Sequence, residues 1–210
     1  MPKKIIRANF IKEYSKGELL EKDLSPDPFF QFDEWFKAAV AFPVKLPNAM
    51  VLATSSKAGQ ADARVVLLKA FDQKGLSFYT NYDSPKAKQL ASNPSATCIF
   101  WWAEMERQIR ISGKTHQINT KSSDIHFKTR PTDSKIAAHA SPQSQVIPNR
   151  NWLMKSFEKE KKRFENKEVS RPNHWGGFCL VPDLFEFWQG RNNRLHDRLV
   201  YKRCSSNKWS

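Results

Sequence analysis

Arg64-Val65-Val66-Leu67-Leu68-Lys69-Ala70-Phe71, then Asp72-Gln73-Lys74-Gly75, then Leu76-Ser77-Phe78-Tyr79-Thr80-Asn81, reads as strand, tight turn and returning strand. Four apolar residues between Arg64 and Lys69 predict a buried strand with a cation at each end, within an element covering 63–71. Upstream, Ser56-Lys57-Ala58-Gly59-Gln60 is another turn, preceded by an apolar strand at 50–54. Downstream, Ser84 is a good N-cap and Pro85 suits the first helical position. That helix, 85–91, stops at Asn93-Pro94. Strands follow at 96–102 and 107–118, the second alternating through Ile109, Ile111 and Gly113. Short strands at regular spacing, joined by turns, predict an antiparallel barrel.

Helices flank it. Asp27 caps and Pro28 opens a helix whose core face is Phe32, Trp35, Phe36, Ala39 and Val40. Further helices are predicted at 121–130, 133–140 and 151–166, and strands at 177–181, 184–189 and 198–202. Residues 1–25 are polar and mixed, and read as a mobile arm with a short helix at 10–20; residues 26–210 read as one domain. There is no internal repeat, no GxGxxG and no Walker-type loop, which argues against a Rossmann or P-loop nucleotide site.

With 210 residues, 40% hydrophobic and 12% aromatic, the chain can bury a sizeable core. No run reaches the apolar length of a membrane span, and Met1-Pro2-Lys3-Lys4-Ile5-Ile6-Arg7 lacks the features of a secretory signal. Cys98, Cys179 and Cys204 are odd in number and widely spaced, which predicts neither disulfides nor zinc and suits the cytoplasm. The net charge of +14 raises nucleic acid as a partner, but no nucleic-acid motif accompanies it. Much of the excess is dispersed: Lys155, Lys159, Lys161, Lys162 and Arg163 interleave with Glu158, Glu160 and Glu165, as on a solvated helix face. A positive field also steers small phosphorylated anions.

Directional donors concentrate elsewhere. Phe187-Trp188-Gln189-Gly190 is followed by Arg194-Leu195-His196-Asp197-Arg198, where two arginines bracket a histidine and a carboxylate. Ser84-Pro85-Lys86-Ala87-Lys88 places lysines at a helix start after a Thr-bearing strand, a phosphate cradle by type. Together with Glu106-Arg107-Gln108, Arg130-Pro131-Thr132-Asp133-Ser134, Ser141-Pro142-Gln143-Ser144 and Trp175-Gly176-Gly177-Phe178, these stretches resemble the pyridoxine (pyridoxamine) 5'-phosphate oxidase family, from Tyr14 to Trp209.

The resemblance implies a mainly β chain: a split antiparallel β-barrel of the FMN-binding type with surrounding α-helices, forming a homodimer with flavin at the subunit interface. It implies an FMN enzyme converting pyridoxine and pyridoxamine 5'-phosphates to pyridoxal 5'-phosphate, with O2 reduced to H2O2. By resemblance, Arg64 and Lys86 bind the FMN phosphate with Tyr79 and Thr80. Val65, Val66, Leu67, Leu68 and Lys69 run along the flavin, and Gln108, Gln143, Ser144, Trp188 and Arg198 complete the site, some from the second subunit. Lys69, Arg130 and Ser134 take the substrate phosphate, Tyr14 belongs to a lid, and Arg194 and His196 are the catalytic pair over the pyridine ring. Alternatives are a phenazine-type oxidase of the same fold and a non-catalytic FMN- or pyridoxal-phosphate-binding protein.

Three positions depart from the family: His126 where Tyr is usual, Pro85 where Arg is usual, and Ile11 where Arg is frequent. His126 retains the ability to bind phosphate, with its protonated form expected to bind better. Pro85 removes one FMN cation, and the chain stops at Trp209-Ser210, short of the family's usual end.

Overall fold

In the computed structural model, which describes residues 13–205 and 208–210, Asp27 and Pro28 open the first helix as the sequence predicts. The Asp27 carboxylate accepts from the Phe29 N–H at 2.8 Å, and Pro28 sits where no N–H is needed. This helix, α1 (Pro28–Ala41), buries Phe29, Phe32, Trp35 and Ala39. Val40, expected on the core face, is 59% exposed. It lies one helical step, about 100°, past Ala39 and so off the buried stripe.

The strands are β1 (Ala49–Ser55), β2 (Ala61–Leu67), β3 (Ala70–Asp72), β4 (Gly75–Asn81), β5 (Ser95–Trp102), β6 (Arg107–Gln117), β7 (Trp175–Gln189) and β8 (Asp197–Lys202). Their order is β2-β1-β5-β6-β7-β4-β3, with β8 also on β7, and every pairing is antiparallel. Since β2 runs on into β3, one stretch of chain occupies both ends of this path, and the Lys69 N–H bonds the Ser77 carbonyl at 2.9 Å. The sheet thereby closes into the predicted barrel, filled by Phe32, Phe78, Phe100, Phe185 and Phe187.

Two expectations for strands need correction. The predicted element at 63–71 breaks at Leu68 and Lys69, and its first half is not buried: Val65 is 66% and Leu67 37% exposed. Strand alternation explains this. Val66 and Leu68 pack toward the core, and their neighbours face outward from an edge strand. The strands predicted at 177–181 and 184–189 are one strand, β7. β6 pairs with it from end to end, while β4 and β8 share its other edge. The ladder shifts where Pro182, which has no N–H, meets Gly113. A Cβ on Gly113 would lie 2.0 Å from the Val181 carbonyl oxygen, so only glycine fits there.

Helix α2 (Pro85–Ser92) links β4 to β5. Helices α3 (Thr120–Lys128), α4 (Thr132–Ala140) and α5 (Arg150–Arg163) lie between β6 and β7, where Phe127, Ile136, Val169 and Trp175 form a second small core. α5 buries none of its residues, as its interleaved charges predict. Of the arm, residues 1–12, including Ile11 and the start of the expected helix, lie outside the described residues. Residues 13–20 are not helical, because the backbone N–H groups of Ser15, Lys16 and Leu19 are donated to the Glu106 and Asp197 carboxylates instead. No helix among the described residues is long and apolar enough to cross a membrane.

Candidate active site

β4 ends and α2 begins around a buried lysine. Lys86 is 7% exposed, and its ammonium lies 3.2 Å from Thr80 Oγ1, 3.4 Å from Ser84 Oγ and 3.4 Å from Gln143 Oε1, all neutral oxygens. Ser84 holds the N-cap position, but its hydroxyl donates to the Asn81 carbonyl at 2.7 Å and does not cap the helix. Burial lowers the Lys86 pKa; the Arg64 charge lowers it further, with Asp62 opposing.

On β2 the Arg64 guanidinium donates to Thr54 Oγ1 at 2.6 Å and to the Leu52 carbonyl at 3.2 Å, and pairs with the Asp62 carboxylate. Asp62 is a partner that the sequence reading missed. Two residues apart on one strand, the pair shares a face, and that spacing was the available signal.

A second group of cations stands on α3 and the turn after it. The His126 ring stacks on Tyr79 at 3.9 Å and 11°. The Arg130 guanidinium packs over Trp175 at 4.7 Å, and its buried Nη1 has no hydrogen-bond partner among the described residues. Burial lowers the His126 pKa, and the charges of Lys69 and Arg130 lower it further. Both groups open into one cavity of about 430 Å³. Arg64, Val65, Val66, Leu67, Lys69, Tyr79, Thr80, Lys86, His126, Arg130, Ser134 and Gln143 line it, with Pro131 and Trp175. Leu68 is absent from this lining, since its side chain is in the core; Ser144 is exposed beside Gln143 with φ +62°.

The remaining predicted residues gather at the far end of β7. Trp188 lies 4.7 Å from the His196 ring, and Tyr14 stands edge-on to both, at 5.7 Å and 5.4 Å. Gln108 is the cross-strand neighbour of Trp188 on β6, and Arg198 on β8. Arg198 Nε donates to Glu186 at 2.8 Å, and Arg110 donates to the same carboxylate oxygen at 2.7 Å. Burial alone would raise the Glu186 pKa; the two arginines outweigh it and hold the group ionised. Glu186 was not foreseen, because only the β6–β7–β8 register brings these three residues together.

His196 Nδ1 accepts from the Arg191 N–H at 3.0 Å, so the neutral ring carries its proton on Nε2. Asp197 does not orient His196. Its carboxylate takes the Leu19 N–H at 2.9 Å and Arg191 at 3.0 Å. Arg194 is exposed at φ +61°, after Asn193 at φ +56°, two consecutive left-handed residues.

The predicted residues thus fall into two sets on one chain. Tyr79 and Thr80 pair with Gly177 and Gly176 at one end of β7, and Trp188 lies at the other. Residues 177 to 188 span roughly 35 Å of strand at about 3.3 Å per residue.

Residues 36–163 match the model of the pyridoxamine 5'-phosphate oxidase family, and residues 175–210 match that of the pyridoxine 5'-phosphate oxidase C-terminal dimerisation region. The chain belongs to this oxidase family. A pyridoxine/pyridoxamine 5'-phosphate oxidase from Nostoc sp. is 46% identical over 96% of this chain and 94% of its own. One from Burkholderia vietnamiensis is 48% identical over 94% and 92%. PhzG from Burkholderia lata, solved with tetrahydrophenazine-1-carboxylic acid, superposes with a TM-score of 0.87 at 27% identity, covering 93% of this chain and 97% of PhzG. An FMN-binding protein related to pyridoxamine 5'-phosphate oxidase, from Nostoc punctiforme, shares the fold at a TM-score of 0.70 and 17% identity, covering 89% and 97%.

As a member of the pyridoxamine 5'-phosphate oxidase family, the chain is an oxidoreductase with FMN as its cofactor. The residues present fit that group: a buried ammonium hydrogen-bonded only to neutral oxygens calls for an anion, and Val65 and Leu67 offer an apolar wall.

The lowered His126 pKa revises the expectation for that residue. Around neutrality its ring is uncharged and donates one hydrogen bond, as tyrosine does. A phosphate dianion bound nearby would favour the charged ring and oppose this shift. If His126 contacts such a phosphate, we expect the ratio of wild-type to His126→Tyr Michaelis constants to fall as the pH is lowered. The substrate phosphate's own titration cancels in the ratio. A flat ratio at every pH would separate His126 from the phosphate.

Proposed function

We propose that the protein is a homodimeric FMN-dependent oxidase that converts pyridoxine and pyridoxamine 5'-phosphates to pyridoxal 5'-phosphate, reducing O2 to H2O2. One observation carries the reading: a single cavity holds two groups of cations, Arg64 with Lys86 and Arg130 with Lys69, the second group beside the His126 ring. FMN and the substrate each bring one phosphate. Arg64 and Lys86, with Tyr79 and Thr80, take that of FMN; Lys69, Arg130, Ser134 and His126 take that of the substrate. Val65, Val66, Leu67 and Gln143 face the flavin, with Leu68 behind them and Ser144 beside them. Gln108, Trp188 and Arg198 complete the flavin site from the second copy, and Arg194, His196 and Tyr14 cover the substrate ring from there. The length of β7 between the two sets supports a role for that second copy.

FMN held there would supply the hydride acceptor for the substrate's exocyclic carbon and the redox route to O2. Arg194 orients the ring and stabilises charge as hydride leaves, and His196 presents Nε2–H to a ring substituent. A phosphate-directed cation set suits the vitamin B6 phosphates better than the tricyclic carboxylic acid held by PhzG. The three thiols are free, and the buried Cys98 and Cys179 suit the cytoplasm, where such thiols stay reduced.

The test is direct. Purified protein is yellow, releases FMN and not FAD on denaturation, and makes peroxide from pyridoxine 5'-phosphate in air. A colourless protein that takes up no FMN overturns the reading. One that binds FMN without making peroxide is a binding protein instead.

A further inference from the structure

Glu106 closes the turn between β5 and β6 with φ +55°, a left-handed conformation that turns usually assign to glycine or asparagine. It is also 1% exposed. A bulky, ionisable side chain in such a place has a local cost, so what it touches matters. Its Oε2 accepts the Ser15 N–H at 2.8 Å and the Lys16 N–H at 3.0 Å. Its carbonyl accepts from the Gly190 N–H at 2.8 Å and from Gln189 Nε2 at 3.3 Å. One residue therefore ties the arm to the end of β7. Tyr14, the residue before the tie, stands 5.4 Å from the His196 ring, and Gly190 makes room for it: a Cβ there would come within 2.7 Å of the Tyr14 ring.

We propose that Glu106 is a positioning residue. Through the backbone of Ser15 and Lys16 it seats the Tyr14 ring against His196 and so sets the affinity for substrate. The inference rests on the oxidase reading for the substrate side of the site, but the tie itself does not. Two N–H donors on one carboxylate are charge-assisted contacts, strong enough to hold the arm in place.

Glu106→Gly is the informative variant, because glycine adopts φ +55° without strain while the carboxylate is lost. In the FMN-loaded protein, amide hydrogen exchange at Ser15 and Lys16 is expected to speed up about tenfold or more. FMN content is unchanged, and the Michaelis constant for pyridoxine 5'-phosphate rises about tenfold with a smaller change in kcat. Glu106→Gln, which keeps one acceptor oxygen, falls between. In a Tyr14→Ala background, Glu106→Gly adds no further rise, since both act through one ring. Unchanged exchange overturns the tie. Faster exchange with an unchanged Michaelis constant, or additive effects in the double variant, overturns the positioning role. A wild type that makes no peroxide overturns the oxidase reading, and the exchange rates still decide the tie.

Discussion

Lys86→Met is expected to yield a colourless protein that folds at least as well as unloaded wild type. The two effects have one cause. The Lys86 ammonium is buried against three neutral oxygens, with the Arg64 charge close enough to depress its pKa. Without an anion this charge is unfavourable, and an apolar side chain of similar length removes the cost, worth about 1 kcal/mol or more. With FMN present the charge faces a phosphate, and its loss weakens binding roughly tenfold to a hundredfold. The sign of the pH dependence follows. The folded pKa lies below the ordinary 10.5, so between the two values the unfolded chain holds a proton that the folded chain has lost. Stability of unloaded wild type therefore gains from this group as pH rises through that window. Lys86→Met lacks the gain, and bound FMN, by restoring the proton, abolishes it. Urea unfolding at increasing alkaline pH measures stability, and fluorescence titration measures FMN affinity. Unchanged affinity would assign the FMN phosphate to other cations.

The local grammar of the chain was legible because its causes are local. Asp27-Pro28 starts α1 whatever surrounds it, and the alternation through Ile109 and Ile111 makes β6 a strand with one buried face. The run from Arg64 to Lys69 misled for a long-range reason. Four apolar residues in a row suit a strand buried on both faces, but β2 lies at the edge of a barrel, and Val65 and Leu67 wait on an outer face. The site was read from a resemblance, which names residues but not their neighbours. It did not contain Asp62 on Arg64, Glu186 between Arg110 and Arg198, or Glu106 on the arm. Each is a carboxylate whose partner is set by register or by chain closure, and only Asp62 was close enough in sequence to be inferred. Nor could the sequence reveal that the Lys86 cradle, through Thr80, and Trp188 lie at opposite ends of one long strand, β7.

That separation leads to the largest expected effect. Arg130→Ala and Arg194→Ala are each expected to lower kcat/KM for pyridoxine 5'-phosphate at least about a hundredfold, since each removes a charged contact to substrate. Both should retain FMN, because neither residue is assigned to it. If each site takes Arg130 from one copy and Arg194 from the other, the two defects are complementary. A mixed dimer then has one site carrying both substitutions and one carrying neither. Co-expression of the variants with different affinity tags, followed by isolation of doubly tagged dimers, should recover about half the wild-type turnover per dimer, as two-fold symmetry dictates. The gain over either parent is some fiftyfold from an about hundredfold loss, far beyond any effect of mutation on stability. If each chain instead builds a complete site, every site in the mixed dimer carries one defect, and the doubly tagged fraction stays as inactive as its parents. Recovery requires that the cations of the β4–α2–α3 cavity and the residues around Trp188 meet across the subunit boundary. Failure, with both parents folded and yellow, would mean that Arg194 reaches the Arg130 cavity of its own chain by a rearrangement of the exposed left-handed turn at Asn193 and Arg194.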